Sequence, residues 1–449
     1  MSTPNKADMT PLERFLSYFT KIHPKEGVSV AYLFANSFLL LFAYYLLKPV
    51  REALILTQGG AELRSYAVAM QAILLLVAIP VYGMLFQGRK RLALLRTIIF
   101  FFASNLVLFF ILAEAGVNIG VPFFVWLGIL SVTLVAQFWA FAADIYSVEA
   151  GHRLFAFIAV GSTLGSLVGS EVATIGIPFI GPYGMMMTAA IILSLSVLLS
   201  ARADANIPEE SRGHSEDGHW TEQHAGVLSG FSIVLKDRYL MLIGVFVLLL
   251  NCINSTGEYI LAKIIIAQSE AEVLADVTHT LTKGDAIGNT YGDFYFFVNL
   301  LTLVIQLMFV RRIWQAVGIQ GALLISPIIV FFGYGMISFL PSFWVIYMVK
   351  ILENSTDYSI QSTTRHALFL PVDREKKYKG KTCIDTFIWR LGDLIQALLV
   401  YLGMNVFGFG LQHFAMVNFA LSTIWLVVAV GIGISYKRAR PSSNTEHAK

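Results

Sequence analysis

Lys350, Glu353, Asp357, Gln361 and Thr364 follow one another at intervals of three or four residues. That spacing puts all five on one stripe of an α-helix, within a stretch otherwise apolar enough to lie in a bilayer. A charge at the bilayer centre costs about 2.5–3.5 kcal/mol on insertion scales, so such residues face a wet cavity or a partner. An ion pair between Lys350 and Glu353 would account for two of the five. Asp357 and Gln361 are left over, which favours a cavity wall that meets a charged solute.

Other ionisable residues stand in similar surroundings. Glu258 ends the polar patch Asn251-Cys252-Ile253-Asn254-Ser255-Thr256-Gly257-Glu258 inside an apolar run, as a cavity-lining or kinked segment would. Lys48 and Arg51 follow Tyr44 and Tyr45 where an apolar block ends. Lys and Arg snorkel at such places as interfacial anchors, but this side of the chain is otherwise poor in cations, so contact with an anion is the preferred reading. Arg390 and Asp393 lie one turn apart, as an internal salt bridge or a gate. Glu171 follows Gly161, Gly165 and Gly169, a ladder of small residues that reads as helix packing.

The elements that must hold these residues follow from composition. Of 449 residues, 56% are hydrophobic and 14% charged, and the mean hydropathy is +0.68. Soluble domains carry about 25% charged residues, so a soluble chain is excluded. The apolar residues fall into blocks of about twenty, the length an α-helix needs to cross a bilayer. Twelve spans are predicted, at 28–47, 63–86, 92–113, 121–143, 153–178, 183–201, 239–262, 291–310, 319–340, 342–368, 383–409 and 413–436. The fold class is therefore an all-α polytopic membrane protein. With the polar stretch 202–238 as a linker, it divides into an N-tail (1–27), two six-helix halves (28–201 and 239–436) and a C-tail (437–449). This is the layout of the major facilitator architecture, whose halves are parallel repeats.

Charge placement supports the even count. Numbering loops alternately, 25 lysines and arginines fall on one side and five on the other. The positive-inside rule then puts both termini in the cytoplasm. A net charge of +3 points to no nucleic-acid partner. Cys252 and Cys383 are too few and too far apart for a disulfide framework or a metal site. No P-loop, HExxH or GxSxG motif occurs, and His214, His219 and His224 read as solvated linker. No metal, cofactor or catalytic residue is expected, and the chain does not read as an enzyme.

The segment Leu370-Pro371-Val372-Asp373-Arg374-Glu375-Lys376-Lys377-Tyr378-Lys379-Gly380-Lys381-Thr382-Cys383-Ile384-Asp385 resembles the signature before the eleventh helix of the ATP/ADP translocase family, the nucleotide transporters of plastids and intracellular bacteria. Leu47-Lys48-Pro49-Val50-Arg51-Glu52 and Phe138-Trp139-Ala140-Phe141-Ala142-Ala143-Asp144 resemble motifs near that family's first and fourth helices. The resemblance implies a secondary active transporter that exchanges nucleotides by alternating access without hydrolysis, in a bacterial inner membrane. It also implies transport roles for Lys48, Arg51, Asp144, Glu258 and Lys379 or Lys381. Together with the residues above, the candidate substrate-binding set is Lys48, Arg51, Asp144, Glu258, Lys350, Glu353, Asp357, Lys379, Lys381 and Arg390. The expected partners are a nucleotide or other organic anion and the bilayer. A proton-coupled symporter of another solute, with Glu258 or Asp357 carrying the proton, and a non-transporting sensor or scaffold remain as alternatives.

Overall fold

A computed structural model describes residues 9–85, 91–212 and 227–439. The three linker histidines, Arg89, Lys90 and the outer parts of both tails lie outside them. The described residues form helices α1 (Pro11–Leu16), α2 (Gly27–Leu85), α3 (Arg91–Glu114), α4 (Gly120–Ile145), α5 (Val148–Ala205), α6 (Val227–Lys236) and α7 (Arg238–Ala275). These are followed by α8 (Lys283–Val304), α9 (Val310–Phe339), α10 (Phe343–Thr356), α11 (Ser362–Ala367), α12 (Arg374–Thr382), α13 (Trp389–Asn405) and α14 (Leu411–Ala439). Three π-helical turns interrupt the series at Ile305–Phe309, Asp357–Gln361 and Cys383–Ile388.

Among the described residues, eight helical stretches are long and apolar enough to cross a membrane. Three of them exceed fifty residues, or roughly 75 Å if straight, far more than a ~30 Å hydrocarbon core requires. Each is broken by a glycine in the left-handed region: Gly60 (φ 71°), Gly181 (φ 67°) and Gly318 (φ 69°). In a continuous helix Gly176 and Met185 would stand about 13 Å apart. Here the Met185 methyl fills the space over Gly176, so the chain turns back at Gly181. These breaks divide the three long stretches, and α10 with α11 adds a polar span, giving the twelve read from the sequence. Large apolar side chains such as Val77, Ile191, Leu307, Phe332 and Val427 remain exposed on the surface, as expected where lipid is the solvent.

By internal contacts the chain separates into two compact units. The first takes in the described residues of Met1–Gln58, Tyr82–His219 and Glu272–Phe296; the second takes in those of Gly59–Val81, Trp220–Ala271 and Phe297–Lys449. In the first unit α5 lies on α2 through the glycine ladder. Gly161, Gly165 and Gly169 face the backbone carbonyls of Phe34, Phe38 and Phe42, with no room for a Cβ. Both sets advance by four residues in the same sense, so the two helices are parallel. The second unit packs in a like manner: Gly244 of α7 meets Ile388, and Gly392 of α13 meets the Leu248 carbonyl. Here too α7 and α13 run parallel.

The N-terminal segment is bound to the first unit by a buried carboxylate. Glu26 accepts two bonds from Arg153 (2.8 and 3.0 Å), one from Ser211 (2.6 Å) and one from the His23 backbone N–H (2.7 Å). Burial alone would raise its pKa, but the bonds from Arg153, Ser211 and His23 outweigh burial and hold it below the ordinary glutamate value.

Candidate functional site

In the second unit, α7, α10 and the 59–81 segment bring four charges of alternating sign together. Lys350 is fully buried, and its Nζ lies 3.4 Å from Glu258 Oε1 and 3.2 Å from Glu353 Oε1. It also donates to Asn254 Oδ1 at 2.9 Å. Arg64, from the 59–81 segment, holds the other Glu258 oxygen at 3.2 Å, Asn354 donates to Glu258 Oε1 at 3.0 Å, and the Tyr334 hydroxyl donates to Glu353 at 2.8 Å. Gly257 makes this possible, because a Cβ there would collide with the Tyr334 hydroxyl and the Lys350 amine. The order Arg64–Glu258–Lys350–Glu353 is neutral as a whole. That is what a buried network requires, since an unpaired buried charge is strongly destabilising. One turn further along α7, Glu62 pairs with Lys263 at 2.5 Å and accepts from Tyr259 at 3.1 Å.

The stripe read from the sequence is therefore divided. Lys350 and Glu353 pair with each other and with Glu258. Asp357 begins a π-helical turn and lines a small cleft with Asn254, Ser326, Glu353 and Trp425. Gln361 is fully buried with no partner for its amide among the described residues, and Thr364 accepts from Trp314 Nε1 at 3.1 Å. Arg390 lies 3.4 Å from Asp393, whose carboxylate also takes Asn251 (2.8 Å) and Ser255 (3.1 Å). Residues 251 and 255 lie on the α7 face adjacent to that of 254 and 258, so this cluster adjoins the first.

In the first unit Lys48 and Arg51 are set among aromatic rings. The Lys48 amine sits 3.8 Å from the Tyr295 centroid and 4.9 Å from that of Tyr45. The Arg51 guanidinium lies 4.4 Å over Phe124 and pairs with the fully buried Glu52. Cation–π contact orders both cations, and Glu52 fixes the orientation of the Arg51 guanidinium as well.

The structure does not bring every candidate to these clusters. Asp144 is near the end of α4, two residues from Tyr146, which bonds Ser29 at 2.7 Å. Ser29 is 19 residues before Lys48, or about 28 Å along α2. Lys379 and Lys381 lie on α12, where Lys381 faces Asp385 at 3.4 Å. The neighbouring Lys376 holds Asp237 at the start of α7 (2.9 Å), about 25 Å along that helix from Asn254. Arg64, Asn254, Tyr334 and Tyr295 are residues that sequence reasoning missed. Asn254 had a signal, its i,i+4 spacing to Glu258; the others stand alone on distant segments.

Residues 334–436 match the model of the TLC ATP/ADP transporter family, a range that includes Lys350, Glu353, Asp357, Lys379, Lys381 and Arg390. The chain is also 21% identical to "ADP,ATP carrier protein 1" of Chlamydia trachomatis serovar D, covering 98% of this chain and 94% of that one. Over nearly its whole length the chain is similar to ADP,ATP carrier proteins. Its identity to "ADP,ATP carrier protein 2" of Chlamydia pneumoniae is 23%, over 96% of this chain and 93% of the other. Among solved structures, an auto-inhibited POT family peptide transporter is similar at a TM-score of 0.62 and 10% identity, covering 94% of this chain and 99% of that one. A mutant of the nucleoside transporter NupG is similar at 0.60 and 11%, covering 90% and 99%. At such identities the likeness shows the fold alone, and that fold is major-facilitator-like, an integral multi-pass membrane protein.

Proposed function

We infer that the chain is a secondary active transporter that exchanges nucleotides of the ATP/ADP type by alternating access, without hydrolysing them. The observation that carries this reading is the end-to-end similarity to ADP,ATP carrier proteins, over 98% of the chain. The chemistry is compatible with it. A nucleotide's phosphate tail needs ordered cations, and aromatic rings order Lys48 and Arg51, with Glu52 bonded to the latter. Within the second unit, the α7–α10 network holds a further cation, Lys350, between two carboxylates that can release it toward an anion. Among the sequence candidates, Lys48, Arg51, Glu258, Lys350 and Glu353 act on substrate in this reading. Arg390, through Asp393, positions α7 and α13, while Asp144 near the end of α4 and Lys379 and Lys381 on α12 act away from the charge clusters of their own units. The excess of cations on one side places both termini in the cytoplasm, and the relatives' bacterial sources suggest a bacterial inner membrane. The experiment is uptake of labelled ATP into liposomes containing the purified protein, loaded with ADP or left empty.

A further inference from the structure

The cleft beside Asp357 contains polar groups that the charge network does not use. It is lined by Asn254, Glu353 and Asp357, with Ser326 from α9, against the apolar walls of Leu250, Val330 and Trp425, and it takes one water-sized occupant. Ser326 is 2% exposed, and its Oγ has no hydrogen-bond partner among the described residues. A buried hydroxyl left so is destabilising, and an occupant of the cleft that bonds it would offset that cost. The Asp357 carboxylate likewise makes no hydrogen bond or ion pair among the described residues. Lys350 is engaged by Glu258, Glu353 and Asn254, and Arg365, two turns on, is stacked on Trp389 at 4.8 Å.

Charge bookkeeping sets the valence of the occupant. Among the residues lining the cleft and their direct partners, Arg64 offsets Glu258 and Lys350 offsets Glu353, which leaves the Asp357 carboxylate; Arg365, two turns on, makes no hydrogen bond or ion pair to it among the described residues. Asp357 is half-buried; carboxylates withdrawn from water are paired or coordinate a metal, and hard oxygen donors select a hard cation. A divalent ion would leave an excess positive charge beside Lys350; a monovalent ion balances the site. We propose that Asp357, Ser326, Asn254 and Glu353 form a binding site for one sodium-sized monovalent cation. Trp425, whose Nε1–H also lacks a partner among the described residues, closes the wall and can donate to the carboxylate that holds the ion.

The test is binding of radioactive sodium to the purified full-length protein, with melting temperature followed in sodium chloride and in choline chloride at one ionic strength and pH. The wild type should retain sodium and melt higher with it, saturably. Ser326→Ala should need several-fold more sodium for half the shift, and Asp357→Asn should lose the response. If Asp357→Asn does not fold, Ser326→Ala decides, and an unchanged half-saturation overturns the site. Equal melting in sodium and choline with no sodium retained, or a response to pH alone, also overturns it. No nucleotide is present, so failure here is separate from failure of the exchange reading.

Discussion

Lys350 is fully buried between two glutamates that point at its amine. Removing only the cation leaves Glu258 and Glu353 facing each other inside the protein. Breaking such a pair costs about 3–5 kcal/mol, whereas replacing both partners by apolar groups can be neutral. Lys350→Met should therefore lower the melting temperature sharply in detergent, and adding Glu353→Leu should restore part of the loss. Lys48 and Arg51 differ in kind, because rings hold them. Lys48→Ala and Arg51→Ala should each raise the nucleotide concentration for half-maximal uptake about tenfold, with expression unchanged; unaltered uptake in both would remove them from the binding site. At this scale the sequence was legible where a charge stood in an apolar run, as at Lys350, Glu353 and Glu258. It was not legible where one side chain completes a network from a distant segment, as Arg64 and Tyr334 do.

Helices and their breaks were the most legible elements, since each apolar block is long enough to cross and each long stretch ends at a glycine. The π turn at Asp357–Gln361 was not. Intervals of three and four predicted one continuous stripe, but π turns depend on local backbone accommodation that no residue pattern announces. Packing explains which glycines matter. A Cβ at Gly165 meets the Phe38 backbone, whereas at Gly181 nothing lies within 4 Å and a φ of 67° is the sole strain. Gly165→Ala should cost about 1–3 kcal/mol through overpacking and reduce the monodisperse yield more than Gly181→Ala. The tail clamp makes a pH prediction. The folded Glu26 carboxyl titrates below its ordinary value because bonds from Arg153, Ser211 and His23 overcome burial. Its stabilising contribution is thus complete above the ordinary glutamate value and lost as pH falls through the lower folded value. Melting temperature against pH should show that loss, and Glu26→Gln should flatten it.

Across the whole molecule, the two units repeat one device. A parallel helix pair closes on glycines in each, α2 with α5 and α7 with α13. The architecture and the family were legible because they are written in hydropathy and in the 370–385 segment. The charge networks were legible only in part, because folding decides which charges cancel. Both networks are consistent with an anion carrier that needs no metal-assisted or nucleophilic chemistry, and the account stands on exchange. The most direct measurement is labelled ATP uptake by proteoliposomes with and without internal ADP. The account predicts rapid uptake that requires internal ADP and is competed by external nucleotides. Equal uptake by loaded and empty vesicles, or none in either with no nucleotide able to compete, would contradict it.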